Sequence, residues 1–138
     1  MKISVKTQYG LQAMLELAFR FGGAPVQIRH IAGNQKIPIR FLEQLMLLLK
    51  RGGVVVSTRG MHGGYTLAKH PSDINLLEIF ERLEGPLELT SKKMKKILVI
   101  YEFFEGLQNE IKATLSKMTL EDLVFRMRQV ERAYVYNI

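Results

Sequence analysis

Apolar residues recur every three or four positions between Thr7 and Phe21, at Leu11, Met14, Leu15, Ala18 and Phe19. That period predicts a helix, which Gly22-Gly23-Ala24-Pro25 stops. A second helix of about two turns, Arg29 to Lys36, keeps Ile28, Ile31 and Ala32 on one side. Gly33 weakens it by roughly 1 kcal/mol relative to alanine. A third runs from Pro38 to Arg51, with Pro38 in the first turn and Gly52 in the left-handed position just past the end. Its buried stripe is Ile37, Phe41, Leu42, Leu45, Leu48 and Leu49, and its polar edge carries Arg40, Glu43, Gln44 and Lys50. Two short helices joined by a tight turn form a helix-turn-helix pattern.

The β-branched run Val54–Thr58 reads as a strand, Arg59–Gly64 as a flexible loop, and Tyr65–Ala68 as the returning strand. A hairpin directly after a helix-turn-helix is a wing. Asn75 followed by Glu78 has the spacing of a capping box and opens a helix that ends at the hinge Gly85-Pro86. From Ser91 to Leu115 the positions Met94, Ile97, Tyr101, Phe104, Leu107, Ile111 and Leu115 predict one helix of about 36 Å. Its stripe needs cover, either from a second chain, with Ile97, Tyr101, Phe104, Leu107 and Ile111 as the dimer interface, or from its own winged domain. Thr119-Leu120-Glu121-Asp122 caps a last helix reaching about Ala133, followed by the apolar tail Tyr134–Ile138. The expected fold is mainly α with a small β-hairpin wing. Residues 1–86 would form a winged helix-turn-helix domain, and residues 87–138 a long dimerisation helix plus a C-terminal helix packed back on that domain.

Charge sharpens this division. The net charge is +7, and residues 1 to 70 carry ten Lys/Arg against only Glu16 and Glu43, while residues 71 to 138 hold ten against eleven acids. A basic half joined to a balanced half suits a polyanion-binding face on one part and assembly or sensing on the other. The chain has no cysteine, which removes disulfides, thiolate metal sites and cysteine-held clusters from its chemistry. No apolar run is long enough to span a bilayer or to serve as a secretory signal, so the expected compartment is the cytoplasm.

No constellation of nucleophile, base or metal ligands suggests an enzyme. His30, His62 and His70 fall on different elements without ligand spacing, and the glycines around Gly60 and Gly63-Gly64 match no phosphate-binding loop. No metal or cofactor is expected. A recognition helix meets DNA through its N-terminal end, which places Pro38, Ile39, Arg40, Glu43 and Gln44 at base edges or nearby phosphates. Gln44 suits adenine; Arg40 suits guanine or else a phosphate; Glu43 accepts from cytosine or else forms a structural salt bridge. Arg59 at the start of the wing suits a narrow minor groove, with His62 at the wing tip and Gly63 allowing close approach. Lys2, Lys6, Thr7, Gln8 and Tyr9 are placed to hold phosphates, Tyr9 being equally suited to the core.

Several motifs occur together in order: Met1-Lys2-Ile3-Ser4, Tyr9-Gly10-Leu11, Phe41-Leu42-Glu43-Gln44-Leu45, Arg59-Gly60 with Gly63-Gly64-Tyr65, Leu83-Glu84-Gly85-Pro86 and Thr119-Leu120-Glu121-Asp122-Leu123. In these the chain resembles the IscR/NsrR/CymR family of bacterial repressors. The resemblance implies a homodimer that reads a palindromic operator, with Glu43 and Arg59 on DNA. Many members hold an iron–sulfur cluster on three cysteines after the Gly-Pro pair. Here that stretch is Leu87-Glu88-Leu89-Thr90-Ser91-Lys92-Lys93-Met94, so a cluster does not carry over. Lys36 and Pro38 also depart from the family's glycine-containing turn and Ser/Thr cap. The ending through Ile138 is similar to the tail of the cysteine-metabolism branch, associated there with docking into O-acetylserine sulfhydrylase; otherwise it packs on the dimer. A winged-helix protein-interaction module without DNA binding, and an apo metal sensor using His and carboxylates, are the rival readings.

Overall fold

The computed structural model describes residues 2–136. Helix α1 spans Val5–Phe19 and begins where the Ser4 hydroxyl accepts the Thr7 amide at 3.2 Å, satisfying one of the free donors of the first turn. A short loop leads to α2, Ile28–Gln35, and α3, Ile39–Arg51. Lys36 joins them in the left-handed region at φ 54°, the only described non-glycine residue with a positive φ. The turn of the motif is thus made without glycine, at a steric cost of about 1 kcal/mol. Pro38 caps α3 from outside and does not occupy its first turn.

At the other end of α3, Gly52 keeps right-handed geometry, and Gly53 takes the left-handed position at φ 73° that Gly52 was expected to fill. A side chain at position 52 would run into Arg82, so the first glycine is held by packing and the second by conformation. Strands β1, Val55–Thr58, and β2, Gly64–Leu67, pair antiparallel with Val55 opposite Leu67 and Thr58 opposite Gly64. Val26 adds a single bridge to Tyr65, with amide–carbonyl distances of 2.9 and 2.8 Å, and so fastens the wing to the loop before α2.

Helix α4, Leu76–Glu84, starts with the Asn75 side chain accepting the Glu78 amide at 2.9 Å. The reciprocal half of the expected box is absent, because the Glu78 carboxylate pairs instead with Lys69 at 3.3 Å. Beyond Gly85 the expected single helix divides. Lys92–Lys96 is a turn of 3-10 helix, Ile97 is extended, and α5 is Leu98–Lys117, about 30 Å long. Helix α6 runs Leu120–Tyr136, longer than expected, so Tyr134 and Val135 belong to it. Its capping box is complete: Thr119 N donates to Asp122 Oδ2 at 2.8 Å and Asp122 N donates to Thr119 Oγ1 at 3.1 Å.

One apolar core unites α1, α2, α3, α4, the base of the wing and the start of α6, with Met14, Ile31, Leu42, Leu45, Met46, Leu49, Ile79 and Leu83 at its centre. Leu120 and Val124 bring α6 against α1, and backbone bonds Leu76 N to Met118 O and Leu120 N to Ile74 O tie its start to the segment before α4. The fold is a mainly helical winged helix-turn-helix with a two-stranded hairpin. Among the described residues no helix is long and apolar enough to cross a membrane. Asn137 and Ile138, where the resemblance would place docking of a partner enzyme, lie outside the described residues.

Candidate nucleic-acid interface

Helix α3 is amphipathic in the sense its sequence requires. Leu42, Leu45, Met46 and Leu49 are buried beneath it, which forces Ile39, Arg40, Glu43, Gln44 and Lys50 to the outside. Pro38, Ile39, Arg40, Glu43 and Gln44 therefore form one exposed strip along the first two turns. Among the described residues Arg40 and Glu43 join no ion pair, so Glu43 is not the structural salt bridge that its residue type also allowed. Lys50 sits at the far end of the helix, where with Arg51 it complements the negative end of the helix dipole. The half-buried Tyr9 ring meets Phe41 edge-on at 5.7 Å, so Tyr9 serves to seat α3 on α1.

The tip of the wing lies against the start of α2. Arg59, Met61 and His62 are exposed at its loop, and Gln27 Nε2 donates to Met61 O at 3.3 Å, holding the tip to the start of α2. Gly63 does not present itself to the outside as expected. It is buried, and a Cβ there would lie 2.1 Å from the Thr58 carbonyl oxygen. Glycine at this position lets the hairpin fold onto itself. His30 and His62, far apart in sequence, line one cleft of about 550 Å³ between α2 and the wing. Among the described residues no three candidate ligands gather to hold a metal ion.

At the start of α1, Lys2 and Gln8 are exposed and Lys6 is half-buried. Thr7 departs from expectation. It is fully buried, and its hydroxyl donates to Glu84 Oε1 at 2.7 Å. The same oxygen accepts the Ser4 amide at 3.0 Å and the Ser4 hydroxyl. These bonds, from Ser4 first and then Thr7, hold the Glu84 carboxyl below its usual range. Thr7 thus fastens α1 to the end of α4 and has no hydroxyl left for a phosphate. Sequence reasoning missed Glu84 and Gln27, because their partners lie 77 and 34 residues away and no local pattern records them.

Helix α5 carries no buried residue. Tyr101, Phe104 and Ile111 of the expected interface are half-covered within the chain, where α5 lies against α4, while Leu107 is exposed. Ile97 precedes the helix and is exposed. Further apolar side chains, which the three-to-four spacing did not include, are exposed on the first two turns: Leu98, Val99, Ile100 and Phe103, of which the last three share a face with Leu107.

The family model "Rrf2: Iron-dependent Transcriptional regulator" matches residues 3–126. The HTH-type transcriptional regulator CymR of Bacillus subtilis (strain 168) is 35% identical over 138 residues, covering 100% of both chains. The HTH-type transcriptional regulator IscR of Photorhabdus laumondii is 30% identical over 130 residues, covering 90% of this chain and 79% of that one. Among solved structures, CymR, described as the global cysteine regulator of B. subtilis, superposes with a TM-score of 0.75 at 35% identity, over 91% of this chain and 98% of that one. The structure described as T. potens IscR gives 0.74 at 36% identity, over 99% and 96%. The relatives are named as regulators of transcription and none of these names is that of an enzyme. With its winged helix-turn-helix and a match across nearly its whole length, the chain belongs to the Rrf2 family of HTH-type transcriptional regulators.

Proposed function

We propose that this regulator is a cytoplasmic homodimeric repressor that reads a palindromic operator without an iron–sulfur cluster. The observation that carries the reading is the exposed strip Pro38, Ile39, Arg40, Glu43 and Gln44 at the leading end of α3, together with an exposed Arg59 on the wing. A helix held from below by a full apolar stripe and open above enters a major groove by its N-terminal turns. Arg40, Glu43 and Gln44 then read base edges, Arg59 enters the adjoining minor groove, and Lys2 and Lys6 hold phosphates.

Two copies are needed to cover α5. The exposed face of Val99, Ile100, Phe103 and Leu107 is more apolar surface than a single helix leaves to water, and it favours an isologous contact with Tyr101, Phe104 and Ile111 at its edge. The family's iron-dependent description does not fit the residues present. Between Gly85 and α5 there is no thiolate or imidazole, and Lys92, Lys93, Lys95 and Lys96 stand where soft ligands would be required. The signal is therefore a small ligand, a partner or the protein's own abundance.

Salt titration of binding to an operator duplex tests this reading. Neutralising about six phosphates loses about a thousandfold in affinity between roughly 50 and 200 mM salt. A winged module that docks on proteins through apolar surface would show little change, and that result would remove the DNA reading.

A further inference from the structure

Three exposed phenylalanines meet on one cleft. Phe19 closes α1, Phe21 follows in the loop and Phe125 lies in the second turn of α6; they are 50%, 43% and 62% exposed and all line a space of about 450 Å³. That volume falls in the range of about 300–1,000 Å³ common to small-molecule sites. Charges of both signs edge the same space: Glu121 and Asp122 from the first turn of α6, and Arg128 from further along it, with the His70 ring meeting Phe21 edge-on at 5.1 Å beside them. The Arg128 guanidinium lies over the Phe19 ring, 5.4 Å from its centroid, and has no ion-pair partner among the described residues. Asp122 Oδ2 is engaged by the Thr119 amide at 2.8 Å, whereas Glu121 is exposed and unpaired among the described residues.

We propose that this cleft binds a free α-amino acid with an apolar side chain. The phenyl rings take the side chain, Arg128 takes the carboxylate and Glu121 the ammonium group. An anion alone would face two carboxylates, a cation alone would face Arg128, and an uncharged apolar molecule would leave all of these charges against its surface. With Asp122 engaged by the Thr119 amide, a zwitterion meets the two free charges, Glu121 and Arg128, each with its opposite. The walls come from α1, which also seats α3, from Phe21, His70 and Pro71 outside it, and from α6, so an occupant fastens the C-terminal helix to the domain that carries the recognition strip. This deepens the proposed function by naming the class of its signal, and rests on that reading only for the regulatory consequence.

The test is calorimetric titration of the full chain, free of DNA, with L-leucine, L-methionine and L-phenylalanine, and with the N-acetyl and methyl-ester form of each. Saturable 1:1 binding by at least one amino acid is expected, weakened at least tenfold in both blocked forms and in Arg128→Gln and Glu121→Gln. These side chains are exposed, so circular dichroism should show both variants folded. Absence of binding by all three up to about 10 mM, where a site with a Kd of ~1 mM is already filled, would overturn the proposal. Blocked forms binding as well as the free amino acids would overturn it too. So would loss of self-association in Phe125→Glu without amino-acid binding in the parent, which would make the cleft an interface between copies. DNA affinity is measured separately, so failure here leaves the DNA reading standing.

Discussion

Removing the Glu84 carboxylate should unfasten the end of α4 from the start of α1. Its Oε1 accepts from the Thr7 hydroxyl at 2.7 Å and the Ser4 amide at 3.0 Å, as well as from the Ser4 hydroxyl. In Glu84→Ala the two serine donors reach water, but the Thr7 side chain is fully buried and loses its principal acceptor. A buried hydroxyl deprived of its acceptor costs about 1–3 kcal/mol. In a chain of 138 residues each kcal/mol lowers Tm by about 3–5 °C, so a fall of roughly 3–15 °C is expected. The effect depends on pH with a definite sign. The folded carboxyl titrates below the ordinary 4.5. Its stabilisation is therefore fully present above pH 4.5 and is lost as pH falls through the lower folded value. Melting curves of the parent and Glu84→Ala should differ by a constant amount between about pH 6 and 8, and the gap should narrow as pH falls through the folded value, which lies below 4.5. The companion variant Thr7→Val keeps the shape of the side chain and should leave operator affinity unchanged at temperatures where it is folded. Identical melting of Glu84→Ala and the parent at neutral pH would refute the reasoning. So would a Thr7→Val protein of unchanged stability that binds DNA less well.

Further expectations follow from the turn, the wing, the interface and the DNA face. Lys36→Gly should gain about 0.5–1 kcal/mol in urea denaturation, since glycine relieves the left-handed backbone at φ 54° but loses more entropy on folding; a loss of stability would mean that the lysine itself holds the turn. Gly63→Ala must displace the Thr58 carbonyl, only 2.1 Å from the new Cβ, so operator binding should fall through disorder of the wing; an unchanged hairpin by NMR with full binding would contradict this. Phe103→Asp puts a charge on the exposed face of α5 and should shift the sedimentation coefficient to that of a monomer, whereas an unaltered profile would place the interface elsewhere. Arg59→Ala should weaken binding most at A·T-rich flanks and reduce the salt slope by about one per subunit; equal loss on all sequences would make Arg59 a plain phosphate contact.

The helix-turn-helix was legible because each of its elements is specified locally. The stripe Leu42, Leu45 and Leu49 fixes which side of α3 faces inward, and so fixes Arg40, Glu43 and Gln44 outside. The wing was legible from β-branched residues flanking a glycine loop. Errors arose where periodicity has no means of registering a break. Met94, Ile97 and Tyr101 keep helical spacing across a 3-10 turn and an extended Ile97, so apolar position alone ran α5 back through four lysines. Gly52 and Gly53 are adjacent, and composition does not distinguish which of them takes the left-handed position that Gly53 holds at φ 73°. Thr7 looked like a phosphate donor because its acceptor, Glu84, is remote in sequence. Gly63 looked like part of the DNA surface because the close approach it permits is to its own hairpin.

The central claim is that the strip on α3 and Arg59 on the wing read DNA in two copies. Selection of bound duplexes from a random pool, with the parent and Glu43→Ala in parallel, tests it most directly. The parent should enrich a palindrome whose half-sites lie about one helical turn, ~34 Å, or a multiple of it apart. Glu43→Ala should keep that spacing and lose preference at one position in each half. A pool that stays random, or a single half-site without a symmetric mate, would contradict the account.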